Sequence, residues 1–417
     1  MTKTKIRNIG FISTRIAGTD GVSLEIEKWA EVLERNGFKC FYFAGEIDRE
    51  EDVSFKVDEA HFEHPHIDRI NNLLFGKTRR SREISDSVRM LKDKLKSALY
   101  DFCKRFDLDL IIPENALTIP MNISLGLAIT EFIAETCIPT IAHHHDFYWE
   151  RDRFLVNACQ DYLDKGFPPD LPSTRHVVIN SIASKQLSHR TGISNTIIPN
   201  VFDFAGKPDS DGVPGHVLKK KIGLKEDELL ILQPTRVIPR KWIERSIEIV
   251  QHLNIPDPKL VISHAAGDEG CEYYRRIMEY AENAGVRIIA IDSLIGNRRA
   301  ANGKTYSIAD IYGCADLVTY PSGYEGFGNA FLETMYYKKP IVVNRYSIYI
   351  ADIEPKGFDV ITINGFATSN AIKKIRKVLG DEEYRRKMIN GNYELAAEFF
   401  SFEILEEKLM HLIGTFD

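Results

Sequence analysis

Tyr324-Glu325-Gly326-Phe327-Gly328-Asn329-Ala330-Phe331-Leu332-Glu333 lies between a strand-like run, Ala315 to Pro321, and a helical run that ends near Lys338. A helix starting near Gly328 leaves its first backbone amides without intrahelical partners. That end also carries partial positive charge, which favours phosphate-bearing or hydroxyl-rich ligands. Gly326 and Gly328 allow close approach to the backbone. Glu325 falls in the loop and Glu333, eight positions on, just past the first helical turn, so the two carboxylates can hold different parts of one extended ligand. A strand, a glycine turn, a helix and an acid also occur together as plain packing, so the weight of this stretch depends on the rest of the chain.

Outward from it, short β-rich runs alternate with amphipathic helical runs from end to end, the pattern of doubly wound parallel sheets. At 417 residues the chain exceeds one ordinary core. Two Rossmann-like α/β domains are expected: residues 1–204, and residues 205–394 beginning with a linker at Ala205 to Gly215. A final helical stretch, 395–417, returns to brace the first domain. Charged residues at 27% and a net charge of −6 are those of an ordinary soluble protein and give no support for a nucleic-acid partner. Cys40, Cys103, Cys137, Cys159, Cys271 and Cys314 are scattered without a C-x-x-C pair, which fits a reducing cytoplasm and neither a disulfide framework nor a zinc knuckle. The apolar run Ile9-Gly-Phe-Ile12 is too short for a membrane span and reads as the first buried strand. Homo-oligomerisation is left open.

Three other stretches carry candidate chemistry. Leu229 to Gln233 is strand-like and leads through Arg236 and Lys241 into a helix, so two cations five positions apart stand where they can neutralise a diphosphate. Leu108 to Asn115 is a buried strand ending in Glu114 and Asn115. Ile138 to Ala142 is another, followed by His143-His144-His145-Asp146 and then Glu150, Arg151 and Arg153. Ligands of doubly wound sheets gather at such carboxyl ends. Consecutive histidines project to different sides, so at most one or two reach one ligand, and adjacent imidazoles chelate a metal poorly. The stretch Glu46 to Ser85 reads as irregular, with a basic cluster at Lys77 to Arg82.

Glu325-x7-Glu333, inside Pro-Ser-x-x-Glu-Gly-Phe-Gly-x-x-x-x-Glu, resembles the EX7E signature of retaining glycosyltransferases of family four, two-domain enzymes of the GT-B fold. Arg236-x4-Lys241 is similar to that family's Gly-Arg-x4-Lys pattern, with Thr235 in place of the usual Gly. The resemblance implies a central cleft between the domains and a nucleotide-sugar donor (UDP- or GDP-hexose) as substrate, with no metal or other cofactor. It implies that Glu325 and the Gly326-Phe327-Gly328 amides hold the donor sugar, Glu333 the ribose, and Arg236 and Lys241 the diphosphate. Gly18 and Gly21 resemble the first glycine-rich loop, facing diphosphate and acceptor together with Asp20. A histidine after the strand near residue 142 is implied to reach the donor sugar. His145 matches best, with His143 and His144 still open. Asp20, Glu114, Asn115, Asp146, Arg151 and Arg153 are then the acceptor-side candidates, and the arginines suit a small anionic acceptor such as a sugar phosphate or a glycerate derivative.

The expected function is transfer of a hexose to a small polar acceptor in the cytoplasm. A sugar-nucleotide epimerase on the same fold and a glycolipid or cell-envelope transferase at the membrane surface are the competing readings.

Overall fold

The computed structural model describes residues 6–18, 20–206, 215–264, 271–296 and 305–416. The chain forms two compact units, Met1–Pro199 with Phe402–Asp417, and Asn200–Ser401. The break falls at 199 rather than after 204, because Phe202 and Phe204 pack on Tyr336 with ring centroids 4.7 and 5.9 Å away. The Tyr393 hydroxyl also donates to the Phe204 carbonyl at 2.8 Å. Most of the expected linker, 207–214, lies outside the described residues. The returning segment starts at Phe402 rather than at 395, since the helix Glu382–Phe400 belongs to the second unit.

In the first unit, seven strands form one sheet: β1 (Asn8–Ile12), β2 (Lys39–Ala44), β3 (Ser54–Lys56), β4 (Leu110–Pro113), β5 (Thr140–His144), β6 (Thr174–Val178) and β7 (Asn195–Ile197). Their order is β3-β2-β1-β4-β5-β6-β7 and every neighbouring pair is parallel. Helix α1 (Gly21–Arg35) follows β1, and the long helix α2 (Arg82–Phe106) and helix α3 (Ile123–Thr136) cover one face. Leu95, Leu99 and Phe102 of α2 and Leu125, Ile129 and Phe132 of α3 meet Ile12, Phe43, Ile111 and Ala142 of the strands. Each such buried side chain contributes about 1.5–3 kcal/mol.

The stretch expected to be irregular contains a helix, Pro65–Leu74. Its signal was present in Pro65 at the first helical position and in the spacing of buried Ile67, Ile70 and Leu74.

In the second unit, β8 (Ile231–Gln233), β9 (Lys259–Ile262), β10 (Arg287–Ala290), β11 (Leu317–Tyr320), β12 (Ile341–Asn344) and β13 (Ile361–Ile363) pair in the order β10-β9-β8-β11-β12-β13, all parallel. In both sheets the order reverses beside the first strand, between β1 and β4 and again between β8 and β11. Doubly wound sheets bind ligands at the carboxyl ends of the strands flanking that reversal. Helix α4 (Asn329–Tyr336) follows β11, and helix α5 (Phe402–Gly414) closes the chain and packs on α1 in the first unit.

Candidate active site

Each unit presents its sequence candidates at its own switch point. In the second unit, the loops after β8 and β11 carry Arg236 to Lys241 and Ser322 to Gly328. The two loops are tied together: the Gly323 amide donates to the Arg240 carbonyl at 2.8 Å. A Cβ on Gly323 would come within 2.5 Å of the Trp242 ring, so only glycine lets them pack. Beneath them, Gln233 organises a buried polar network. Its amide donates to the Thr235 hydroxyl at 2.8 Å, while its carbonyl oxygen accepts from Ser246 and Thr319 at 2.6 and 3.0 Å. Thr235 therefore has a structural use here that a glycine could not supply.

Glu325 is almost fully buried, and its two oxygens are divided between two cations. Oε1 accepts from the Lys241 ammonium and Oε2 from the Arg240 guanidinium at 2.5 Å. Burial alone pushes the Glu325 carboxyl up, but Lys241 and Arg240 outweigh it and hold the group below its ordinary value. One carboxylate facing two cations leaves the cluster with a surplus positive charge, and Arg236, exposed, adds a second at the mouth of the loop. Sequence reasoning missed Arg240, although it stands directly before Lys241.

The Gly-Phe-Gly turn is set by sterics. Gly328 has φ +122°, and a Cβ there would meet the Tyr346 hydroxyl at 2.7 Å and the Tyr320 hydroxyl at 3.1 Å. Tyr346 cannot retreat freely, because its hydroxyl donates to the Phe327 carbonyl at 2.6 Å. The Phe327 ring is buried edge-on against Phe400, so only the backbone of this residue is placed to serve a ligand. Gly326 completes the turn. Glu333, on α4, accepts from the hydroxyl of fully buried Tyr312 at 2.9 Å, a second partner that sequence reasoning missed. After β10, Asp292–Leu294 forms a short helical turn.

In the first unit the period of a strand sorts the three histidines. His143 and His145 point to one side, and His144 to the other, where its Nε2 meets His176 Nδ1 at 2.9 Å. Burial pushes His144 well below the usual imidazole range and His176 to about 4, so this is a neutral structural pair and His144 is not a ligand-facing residue. Glu114, expected among acceptor ligands, has no exposed surface. Its Oε1 lies 2.6 Å from His143 Nδ1 and 2.9 Å from His145 Nε2. These three donors are close enough to hold a cation, but the two separations are those of charge-assisted hydrogen bonds rather than the roughly 3 Å or more between atoms ligating one divalent ion.

Asn115, at φ +57°, props the next turn. Its side-chain oxygen accepts from the His145 amide at 3.2 Å and from Thr118 at 3.0 Å, and its amide donates to Asp146 at 3.1 Å. Asp146 in turn takes the Arg151 Nε–H at 2.7 Å, so these two acceptor candidates neutralise each other, both partly exposed. The Arg153 guanidinium lies over the Phe154 ring, 4.5 Å from its centroid. Asp20 caps α1 by accepting from the Val22 and Ser23 amides and pairs with Arg15 at 3.1 Å, so its carboxylate is already engaged. Gly18, at φ +73°, donates its amide to Asp48 at 2.7 Å rather than leaving it for a phosphate, and Gly21 begins α1.

Residues 216–395, the part of the chain that carries the Glu325 cluster, match the family described as "Glycosyl transferases group 1". Over 436 residues, 96% of this chain and 98% of the relative, the sequence is 32% identical to the mannosylglucosylglycerate synthase of Thermotoga maritima. The chain belongs to the group 1 glycosyltransferases. A second relative, the mannosylglucosylglycerate synthase of Petrotoga mobilis, is 31% identical over 95% of this chain and 93% of its own length. A glycosyltransferase from Rickettsia africae superposes with a TM-score of 0.71 at 14% identity, covering 98% of each chain, which identifies the GT-B fold. In this glycosyltransferase the switch points thus belong to a hexosyl-transfer enzyme. No helix among the described residues is long and apolar enough to cross a membrane.

Proposed function

We propose that this enzyme transfers a mannosyl group from a UDP- or GDP-linked donor to glucosylglycerate, with retention of anomeric configuration. The product would be the one for which its two relatives are named. The observation that carries the donor half of this reading is the buried Glu325 carboxylate held between Lys241 and Arg240 at the second switch point. Glu325 aligns donor-sugar hydroxyls and Glu333, set by Tyr312, holds the ribose. Leaving-group negative charge falls on Arg236, Lys241, Arg240 and the start of α4, which supply positive charge without a metal.

Both Glu325 oxygens are engaged by cations, which suits a hydroxyl-holding group better than a covalent nucleophile. Front-face attack by the acceptor, assisted by the departing phosphate, follows. The glycerate carboxylate requires a cation on the acceptor side. Arg153 and Arg151, the latter exchanging its Asp146 partner for the substrate carboxylate, supply it, with Gly18, Asp20, Gly21 and Asn115 framing the same switch point. The reaction is placed in the cytoplasm, with no nucleic-acid partner and no membrane-spanning segment.

The test is a product assay on the purified protein with glucosylglycerate and GDP- or UDP-mannose, run with and without EDTA. Thermal shifts with GDP, UDP and ADP would precede it, since a ligand of the folded state raises its melting temperature. Formation of the disaccharide glycerate, insensitive to EDTA, is expected. Conversion of the donor with no acceptor present would move the enzyme to the epimerases. Turnover only with a lipid acceptor would reject the small-acceptor reading.

A further inference from the structure

The buried carboxylate in the first unit poses a charge problem that the transfer reaction does not by itself explain. Glu114 is fully buried at the end of β4, its Oε2 has no hydrogen-bond partner, and its Oε1 is hydrogen-bonded to the His143 and His145 imidazoles. A wholly desolvated anion is costly unless paired, so one imidazole carries the compensating proton.

The surroundings decide which. His143 is 1% exposed, its ring stacks on Trp29 at 4.1 Å, and its Nε2 is buried without a partner. A second N–H there would be orphaned, so the site favours a single N–H on His143, donated through Nδ1. His145 follows β5, and its side chain keeps 12% exposure. Its Nδ1, unlike His143 Nε2, is not a buried atom without a partner, so a second N–H on this ring is not orphaned.

We infer that Glu114 is a positioning residue: by taking N–H groups from His143 and His145 on one oxygen, it fixes His145 as an imidazolium with Nε2 turned inward and the rest of the ring offered to the substrate. Burial opposes a proton on His145, but Glu114, joined by Glu25 on α1 and Asp146 on the following turn, outweighs it and raises the affinity of His145 for its proton. The role rests on the transferase reading, in which His145 offers a fixed cation to a substrate bound at the switch point of the first unit. It also gives Glu114 a use other than acceptor binding.

The test compares wild type with Glu114→Gln and His145→Gln. Metal content is measured on each protein, histidine titration is followed by NMR, and kcat and KM are followed across pH. In wild type, transfer is expected to fall on the alkaline side as His145 loses its proton. In Glu114→Gln the NMR titration of His145 and that alkaline limb should move together by about 1–3 pH units towards acid, the effect of losing a nearby opposite charge. The loss should appear in kcat rather than in acceptor KM, and His145→Gln should have no such limb.

If Glu114→Gln does not fold, an alkaline limb that persists unchanged in His145→Gln overturns the inference. So does an unshifted His145 titration in a folded Glu114→Gln protein. One equivalent of metal bound by wild type and lost in Glu114→Gln would also overturn it, because an ion rather than a proton would then balance the carboxylate. Absence of turnover by wild type, with the NMR shift intact, rejects the transferase reading and leaves the proton assignment standing.

Discussion

Replacing Glu325 by Gln keeps the shape of the side chain and removes its charge, leaving Lys241 and Arg240 facing an amide. Removing one partner of a buried pair costs about 3–5 kcal/mol. The amide oxygen retains one hydrogen bond worth about 1 kcal/mol, so a net destabilisation of about 2–4 kcal/mol is expected. At about 2–4 °C per kcal/mol this lowers the melting temperature by roughly 5–15 °C. Turnover should fall by about 10²–10³, the cost of losing one well-placed electrostatic partner of a reacting group.

Nucleoside diphosphate binding should behave oppositely, because the cluster's surplus charge rises from one to two. Calorimetry with GDP and UDP is therefore expected to give unchanged or tighter binding in Glu325→Gln, while the added affinity contributed by the sugar disappears. A diphosphate affinity that falls in step with turnover would mean that Glu325 only props the loop. Near-normal turnover would reject the donor-site assignment.

Tyr312→Phe should raise the donor KM by about three- to tenfold with little change in kcat, since it removes one hydrogen bond, about 1 kcal/mol, from the Glu333 carboxylate; a kcat effect without a KM effect would refute this. Gly328→Ala combines a disfavoured φ with a Cβ 2.7 Å from a pinned hydroxyl, so a loss of about 2 kcal/mol or more in urea unfolding is expected together with weakened donor binding. Arg151→Gln should raise acceptor KM about tenfold and leave donor binding alone, and an unaltered acceptor constant would discard the anionic-acceptor assignment. Glu114 titrates near 2 in the folded protein against about 4.5 when unfolded. Its stabilisation is thus complete above pH 4.5 and is lost as pH falls towards 2. The stability gap between wild type and Glu114→Gln, read by urea unfolding, should narrow over that interval, and a gap independent of pH would contradict the pairing.

The sheets were legible because parallel strands buried on both faces are continuous apolar runs: Ala315 to Pro321 contains the strand Leu317–Tyr320, and Leu108 to Asn115 contains Leu110–Pro113. The Pro65–Leu74 helix was obscured by the polar and charged residues around a three-residue apolar stripe. At the site, spacing marked Glu325, Glu333 and Lys241 as candidates. It could not show that Glu325 is shared with Arg240, because that depends on two loops from strands more than eighty residues apart meeting through Gly323 and Trp242. Likewise Asp20 and Glu114 were recognisable as acids at strand ends. Whether such an acid faces a ligand, caps a helix or lies beneath a histidine is decided by packing, which leaves no local signature in sequence.

The placement of α5 has a practical consequence for dissecting the molecule. Phe402, Leu405, Leu409, Leu412 and Ile413 are buried in the unit that begins at the other end of the chain, with Arg35 of α1 over the Phe402 ring at 5.2 Å and Arg175 over Phe416 at 4.9 Å. A fragment cut after residue 199 would be born with an uncovered apolar face, and one that starts at 200 would carry a greasy tail with nowhere to go. Splicing residue 199 to residue 402 through a short linker is the dissection that respects the fold, and the first unit should be studied in isolation only in that form.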